Sequence, residues 1–176
     1  MAARPGGAAD PCGAVTVPPV ITWHLAQLNL GLLRGPIDSD EMAEFRLALE
    51  PINAIAESSP GFVWRLTGDD GASSTYVDIP GIDDPLWAPN MSVWTDLDAL
   101  RHFMHKSGHV AYLRRRREWF QEPPGRVNVL WWIPAGETPT LADAVRRLRH
   151  LEANGPSQEG WDFRAPLDPP SVTSGV

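Results

Sequence analysis

The sequence is short of several things, and each shortage excludes something. It has one cysteine in 176 residues, so no disulfide can brace the chain from within. That residue, Cys12, lies in a stretch of Gly, Ala and Pro that reads as unstructured, and it is expected to be incidental rather than catalytic. A reducing cytoplasm is the expected location. No segment has the ~18 apolar residues of a membrane span, and the first twenty residues lack the unbroken apolar core of a signal peptide. Basic residues are outnumbered, 15 Lys and Arg against 22 Asp and Glu for a net charge of -7, which argues against a nucleic-acid partner or a membrane surface. Tyrosine is scarce at two residues, yet there are eight tryptophans. A hydrophobic content of 43% is enough for one buried core and excludes fibrous and disordered classes.

Residues 1–19 read as a tail without hydrophobic period, residues 20–154 as one domain, and residues 155–176 as an irregular C-terminal tail in which Trp161 and Phe163 form an aromatic pair able to pin it to the body. Within the body, Ile21 to Leu33 alternates as a strand, with Trp23, Leu25, Gln27 and Asn29 on one face. A helix follows, capped by Asp38 or Ser39, whose buried stripe runs from Met42 to Ala56 and in which Pro51 predicts a kink or a division. Phe62 to Thr67 alternates as a second strand, a short strand is expected around Thr75 to Ile79, and after a loop over Pro80 to Pro89 a clearer strand spans Asn90 to Thr95. Asp96 or Asp98 caps the next helix, which breaks at Ser107-Gly108 before a second helical run to Phe120. Val127 to Ile133 is the strongest strand, and Thr140 to Leu151 a closing amphipathic helix.

The order strand, helix, strand, strand, helix, strand is the split βαβ arrangement of ferredoxin-like α+β domains with an antiparallel sheet. Val129, Trp131 and Ile133 alternate with Leu130 and Trp132, so both faces of the last strand demand cover. Two helices cover one face of such a sheet. The other is expected to pack against a second copy, giving a homodimer.

Three groups of residues could carry chemistry. His102, His105 and His109 fall on roughly one helical face, but Ser107-Gly108 breaks the helix between the pair four residues apart, a third ligand to that pair would have to come from far along the chain, and no metal is expected. Of the three, His109 is the one expected to point inward, beside Val110 and Leu113. Arg114 to Arg117 spread around their helix rather than forming one patch, and Arg116 or Arg117 could meet a ligand carboxylate. Asn90, Ser92 and Trp94 share a strand face, a composition suited to gripping a flat organic molecule, and Asn29 could add a second amide.

A set of segments then resembles a known family: His24-Leu25-Ala26-Gln27-Leu28-Asn29, Gly61 to Leu66, Asn90 to Trp94, Ser107 to His109, Arg114 to Phe120, and Trp131 to Gly136. Together these are similar to the family numbered 3291 among the domains of unknown function, whose members look like dimeric α+β barrel proteins related to the antibiotic biosynthesis monooxygenases. The resemblance implies a small-molecule-acting, monooxygenase-like or cyclase-like enzyme of secondary metabolism on an aromatic or polycyclic substrate. By position it assigns Asn29, Asn90 and Trp94 to oxygenation of such a ring; His109 is expected as general base because an ordinary histidine titrates near neutrality, and Trp64, Arg65, Arg116 and Trp132 are the expected substrate contacts. No cofactor is the first expectation, and haem held by His109 is the alternative. A non-catalytic dimeric ligand-binding or scaffold protein is the third reading. One departure stands out, since Glu137 occupies a position where the family commonly has His.

Overall fold

The computed structural model describes residues 21–171, so the expectations for residues 1–19, Cys12 among them, lie outside the described residues. The elements run β1 (Trp23–Leu32), α1 (Ala43–Glu57), β2 (Phe62–Arg65), β3 (Trp87–Trp94), α2 (Leu97–Lys106), α3 (His109–Trp119), β4 (Asn128–Pro134) and α4 (Leu141–Asn154). The strands form one antiparallel sheet in the order β2-β3-β1-β4, which is the ferredoxin-like α+β arrangement.

Alternation along the strands decides what each face meets. Ala26, Leu28, Met91, Val93, Val129 and Trp131 point to one side and are all but inaccessible to water. There α4 lays Leu141, Ala144, Val145, Leu148 and Leu151 over them, and Ile79 joins from the loop before β3. This corrects the premise behind the expected homodimer. The second face needs no second copy, because the closing helix of the same chain covers it, and a reason for assembly drawn from an uncovered sheet falls away.

The opposite face carries α1, α2 and α3 in two separate apolar clusters. One gathers Leu25, Trp94, Leu130 and Trp161 under Leu100 and Ala56. The other gathers Leu33, Ala88, Met42, Phe45 and Trp119 at the far end of the sheet. Gly31 lets that end close, since the ring of Phe120 lies where a side chain on Gly31 would stand. Beyond α4, the backbone of Trp161 bonds with Leu130 on the outer edge of β4 in both directions, at 2.7 and 2.9 Å. Trp161 is fully buried and Phe163 half-buried, which holds the C-terminal segment to the body.

Several local expectations change. The segment Thr75 to Ile79 is no strand but a single 3-10 turn over Ser74–Tyr76 and its continuation, capped by the Ser73 side chain. β3 begins at Trp87 rather than Asn90 and runs through Pro89. Before Met91 its outer side has not yet joined the β2 ladder, so a proline at position 89 deletes no bond on that side. Helix α1 continues through Pro51 as one element. The carbonyl that loses its partner is that of Leu47, which is open to water at 77% exposure. Neither Asp38 nor Ser39 makes a side-chain cap at the start of that helix, and Asp38 instead accepts a hydrogen bond from the Tyr76 hydroxyl at 3.3 Å.

The cap expected on α2 is made, and α4 has one as well. Asp96 accepts from the Ala99 amide at 2.8 Å, and Thr140 from the Asp143 amide at 3.2 Å. Replacing the first, Asp96→Ala, is expected to lower stability by about 1 kcal/mol, read as a fall in the urea midpoint at constant slope.

Candidate functional site

Between the two apolar clusters on the helix side, the sheet turns polar. Asn29 on β1 stands opposite Asn90 on β3 and Asn128 on β4, so three amides form a row across three strands. Two residues along, Gln27 stands opposite Ser92. Asn29 and Asn90 are exposed although they lie at the middle of the sheet on a face shared by three helices. Water therefore reaches the sheet through a gap in the helix layer, at the one place where the strands present amides rather than hydrocarbon.

Behind the row is a buried relay. Gln27 and Ser92 are each 7% exposed. Gln27 Nε2 donates to Asn90 Oδ1 at 3.2 Å and to Ser92 Oγ at 3.0 Å, while Trp94 Nε1 donates to the same Oγ at 2.9 Å. An indole nitrogen can only donate, so the polarity of the relay is fixed from the Trp94 end. Ser92 Oγ accepts twice and keeps its own proton to give. Asn90 has its oxygen engaged and presents its NH2. Asn128 Oδ1 is buried and without a partner.

The residues proposed from sequence are partly brought together and partly not. Asn29 and Asn90 meet as expected. Trp94 is fully buried, edge-on to Phe62 at 5.4 Å between ring centroids and stacked on Phe103 at 5.1 Å. It can touch no ligand there and acts by holding Ser92. Trp64 pairs with Val93 and packs on the α4 side, across the sheet from Trp94, so the two indoles cannot flank one substrate. Trp132 shares the face of Trp94, but its Nε1 donates to the Leu167 carbonyl at 2.8 Å and its ring packs on Trp161. Arg65 stands opposite Ser92 on β2, pairs with Glu57 at 2.6 Å, and forms part of the wall of a cleft of about 500 Å³ against α1 with Arg46, Glu50 and Asn53.

Arg116 is exposed, and the arginine of that run with partners is its neighbour. Arg115 bonds Glu44 and Glu118 and lies 4.9 Å above the Trp119 ring, which raises its own pKa and holds both carboxyls below their usual range. His109 stacks on the far side of Phe103 at 4.6 Å, so one ring stands between it and Trp94. Burial, with a smaller push from His105, lowers its pKa to about 4, and its Nδ1 is buried without a partner. His102 and His105 are exposed, and no group of three metal-ligating side chains occurs among the described residues. Glu137 is exposed in the turn after β4. That turn follows Pro134, six rungs or about 20 Å along the β1-β4 ladder from the asparagine row.

The family described as Domain of unknown function (DUF3291) matches residues 24–175. The chain belongs to this family. The DUF3291 match takes in every strand that builds the asparagine row. No curated protein matches the chain. Among solved structures, this DUF3291 member is similar to SnoaB, a cofactor-independent oxygenase from Streptomyces nogalater, at a TM-score of 0.42 and 20% identity over 65% of this chain and 95% of SnoaB. A mutant of SnoaB gives a TM-score of 0.42 and 19% identity over the same shares. No helix among the described residues is long and apolar enough to cross a membrane.

Gln27 and Asn128 escaped the sequence reading of the site. The signal was available for Gln27, which alternation places on the face of Asn29. Asn128 begins its strand, and nothing in a single sequence says which residue it will face.

Proposed function

We propose that this chain is a small-molecule-acting enzyme that takes a flat aromatic or polycyclic molecule against the helix side of its sheet. The observation that carries the reading is the pair of water-reached amides, Asn29 and Asn90, at mid-sheet, with Asn90 fixed from beneath by the buried relay from Trp94. Fixed N–H donors cost no reorganisation when negative charge gathers on a bound oxygen, and so favour phenolate or enolate chemistry. Asn90 and Asn29 hold that oxygen; Trp94, Ser92 and Gln27 position Asn90. His109 lies behind Phe103 and is neutral at neutral pH, which separates it from the bound oxygen and leaves the general-base role outside this reading.

The test is calorimetric binding of a panel of planar hydroxylated aromatics, followed by product analysis in air. Asn90→Ala is expected to weaken binding about three- to tenfold, the worth of one hydrogen bond, and to lower stability by about 1 kcal/mol because buried Gln27 loses one of its two acceptors. A panel that binds Asn29→Ala and Asn90→Ala as well as it binds the parent sinks the site. Binding without turnover would make the protein a ligand carrier instead.

A further inference from the structure

Helix α1 turns a polar stripe toward a cleft. Arg46, Glu50, Asn53 and Glu57 follow at steps of four, three and four, along one side of the helix, while Phe45, Ala48 and Ala56 are buried on the side toward the sheet. All four polar residues line the cleft of about 500 Å³, whose far wall is Arg65 on β2 and the loop over residues 71–76. That loop is tied down, since the Gly68 amide donates to the Ala72 carbonyl at 3.0 Å and the buried Ser74 hydroxyl to the Pro89 carbonyl at 2.7 Å. Neither Asn29 nor Asn90 lies in the wall, so a ligand held there is separate from one held on the sheet.

The charges in that wall are unevenly spent. Arg65 and Glu57 neutralise each other at 2.6 Å. Arg46 gives its Nη1 to the carbonyls of Ile37 and Ser39, at 2.8 and 3.4 Å, and meets no carboxylate of the described residues at ion-pair distance. Asp38 accepts from the Tyr76 hydroxyl instead. Glu50, one turn along from Arg46, has no ion pair among the described residues either; an arginine four residues before a glutamate is the less favourable order for such a pair. Asn53 is half-buried, and its amide has no hydrogen-bond partner among the described residues. One cation, one carboxylate and one amide are thus left unspent on neighbouring turns. A simple anion placed there meets Glu50 and a simple cation meets Arg46, whereas a molecule carrying both signs satisfies both.

We propose that this cleft binds a free α-amino acid, with its carboxylate on Arg46, its ammonium on Glu50 and its side chain against Leu49 and Ala54. The charged head is common to all amino acids, so any one serves as a probe.

L-leucine, N-acetyl-L-leucine and L-leucinamide share a side chain and differ in charge, and none has the flat ring that the sheet site would take. Titrated into the full chain and followed by NMR, leucine is expected to shift the backbone amides of residues 46–57 and 71–76. It should bind at least about fivefold more tightly than either blocked form, as one hydrogen bond to a charged group would give. Glu50→Gln, at an exposed position, should reduce the preference over N-acetyl-leucine to within about twofold and keep the preference over leucinamide. Arg46→Gln should do the reverse. Arg46 also holds the turn before α1, and should its variant fail to fold, Glu50→Gln decides alone. Leucine that fails to bind, binds no better than its blocked forms or shifts amides elsewhere overturns the proposal, as does an unchanged preference in Glu50→Gln.

Discussion

Trp94→Ala should cost about 3–5 kcal/mol of folding stability, a larger loss than any other site substitution considered for this chain. The indole is fully buried between Phe62 and Phe103, and alanine would leave a cavity that two aromatic rings on different elements cannot both move to fill. The ring also donates to Ser92, so its removal leaves a buried hydroxyl with one partner fewer. Trp94→Phe separates these effects. It keeps most of the packing and removes only the N–H, so stability should fall by about 1–2 kcal/mol while ligand affinity falls with it, because Ser92 no longer holds Gln27, and Gln27 no longer fixes Asn90. Urea unfolding of both variants, with binding measured on the phenylalanine form, checks the argument. If Trp94→Phe binds as well as the parent, the relay does not position Asn90.

How much of this could be read from the sequence depends on how far each feature reaches along the chain. Alternation alone puts Gln27 beside Asn29, and Asn90 beside Ser92 and Trp94, so each half of the site was legible. That β1 lies against β3 follows from the ferredoxin-like order, which the element sequence also carried, whereas the register that sets Asn29 opposite Asn90 is seen only in the folded sheet. The burial of Trp94 was not legible. Its environment is made by Phe62 from β2 and Phe103 from α2, and whether an indole on a sheet face meets rings or solvent is settled only when those elements pack. Arginine selection failed for a similar reason. Consecutive helix residues point about 100° apart, and only the angle between α1 and α3 determines that Arg115, not Arg116, meets Glu44. The closing helix misled in the opposite direction: its apolar stripe was plain, but which sheet face it would cover was not, and a second copy was invoked to do what α4 does.

Stability should also rise steeply with pH between 4 and 6.5 through His109 alone. Burial lowers its pKa to about 4 from the ordinary 6.5, so across that window the unfolded chain holds a proton on this ring that the folded chain does not. Protons bound in excess by the unfolded state make stability increase with pH. The effect is complete above 6.5, where both states are neutral, and is lost progressively as pH falls, reaching about 2 kcal/mol of destabilisation at pH 5. His105, the nearby group whose charge adds to the shift, is exposed and contributes less than burial. Carboxyls held low by arginines, Asp143 among them, weaken in acid as well, so the histidine must be isolated. His109→Phe does this, because it keeps a ring on Phe103 and cannot titrate. The parent should lose about 2 kcal/mol more than the variant between pH 7.5 and pH 5 in urea unfolding, and an NMR titration should place the His109 ring near 4. Parallel pH profiles for the two proteins would mean that the ring is protonated in the folded chain, with water reaching the Nδ1 that is now buried and without a partner.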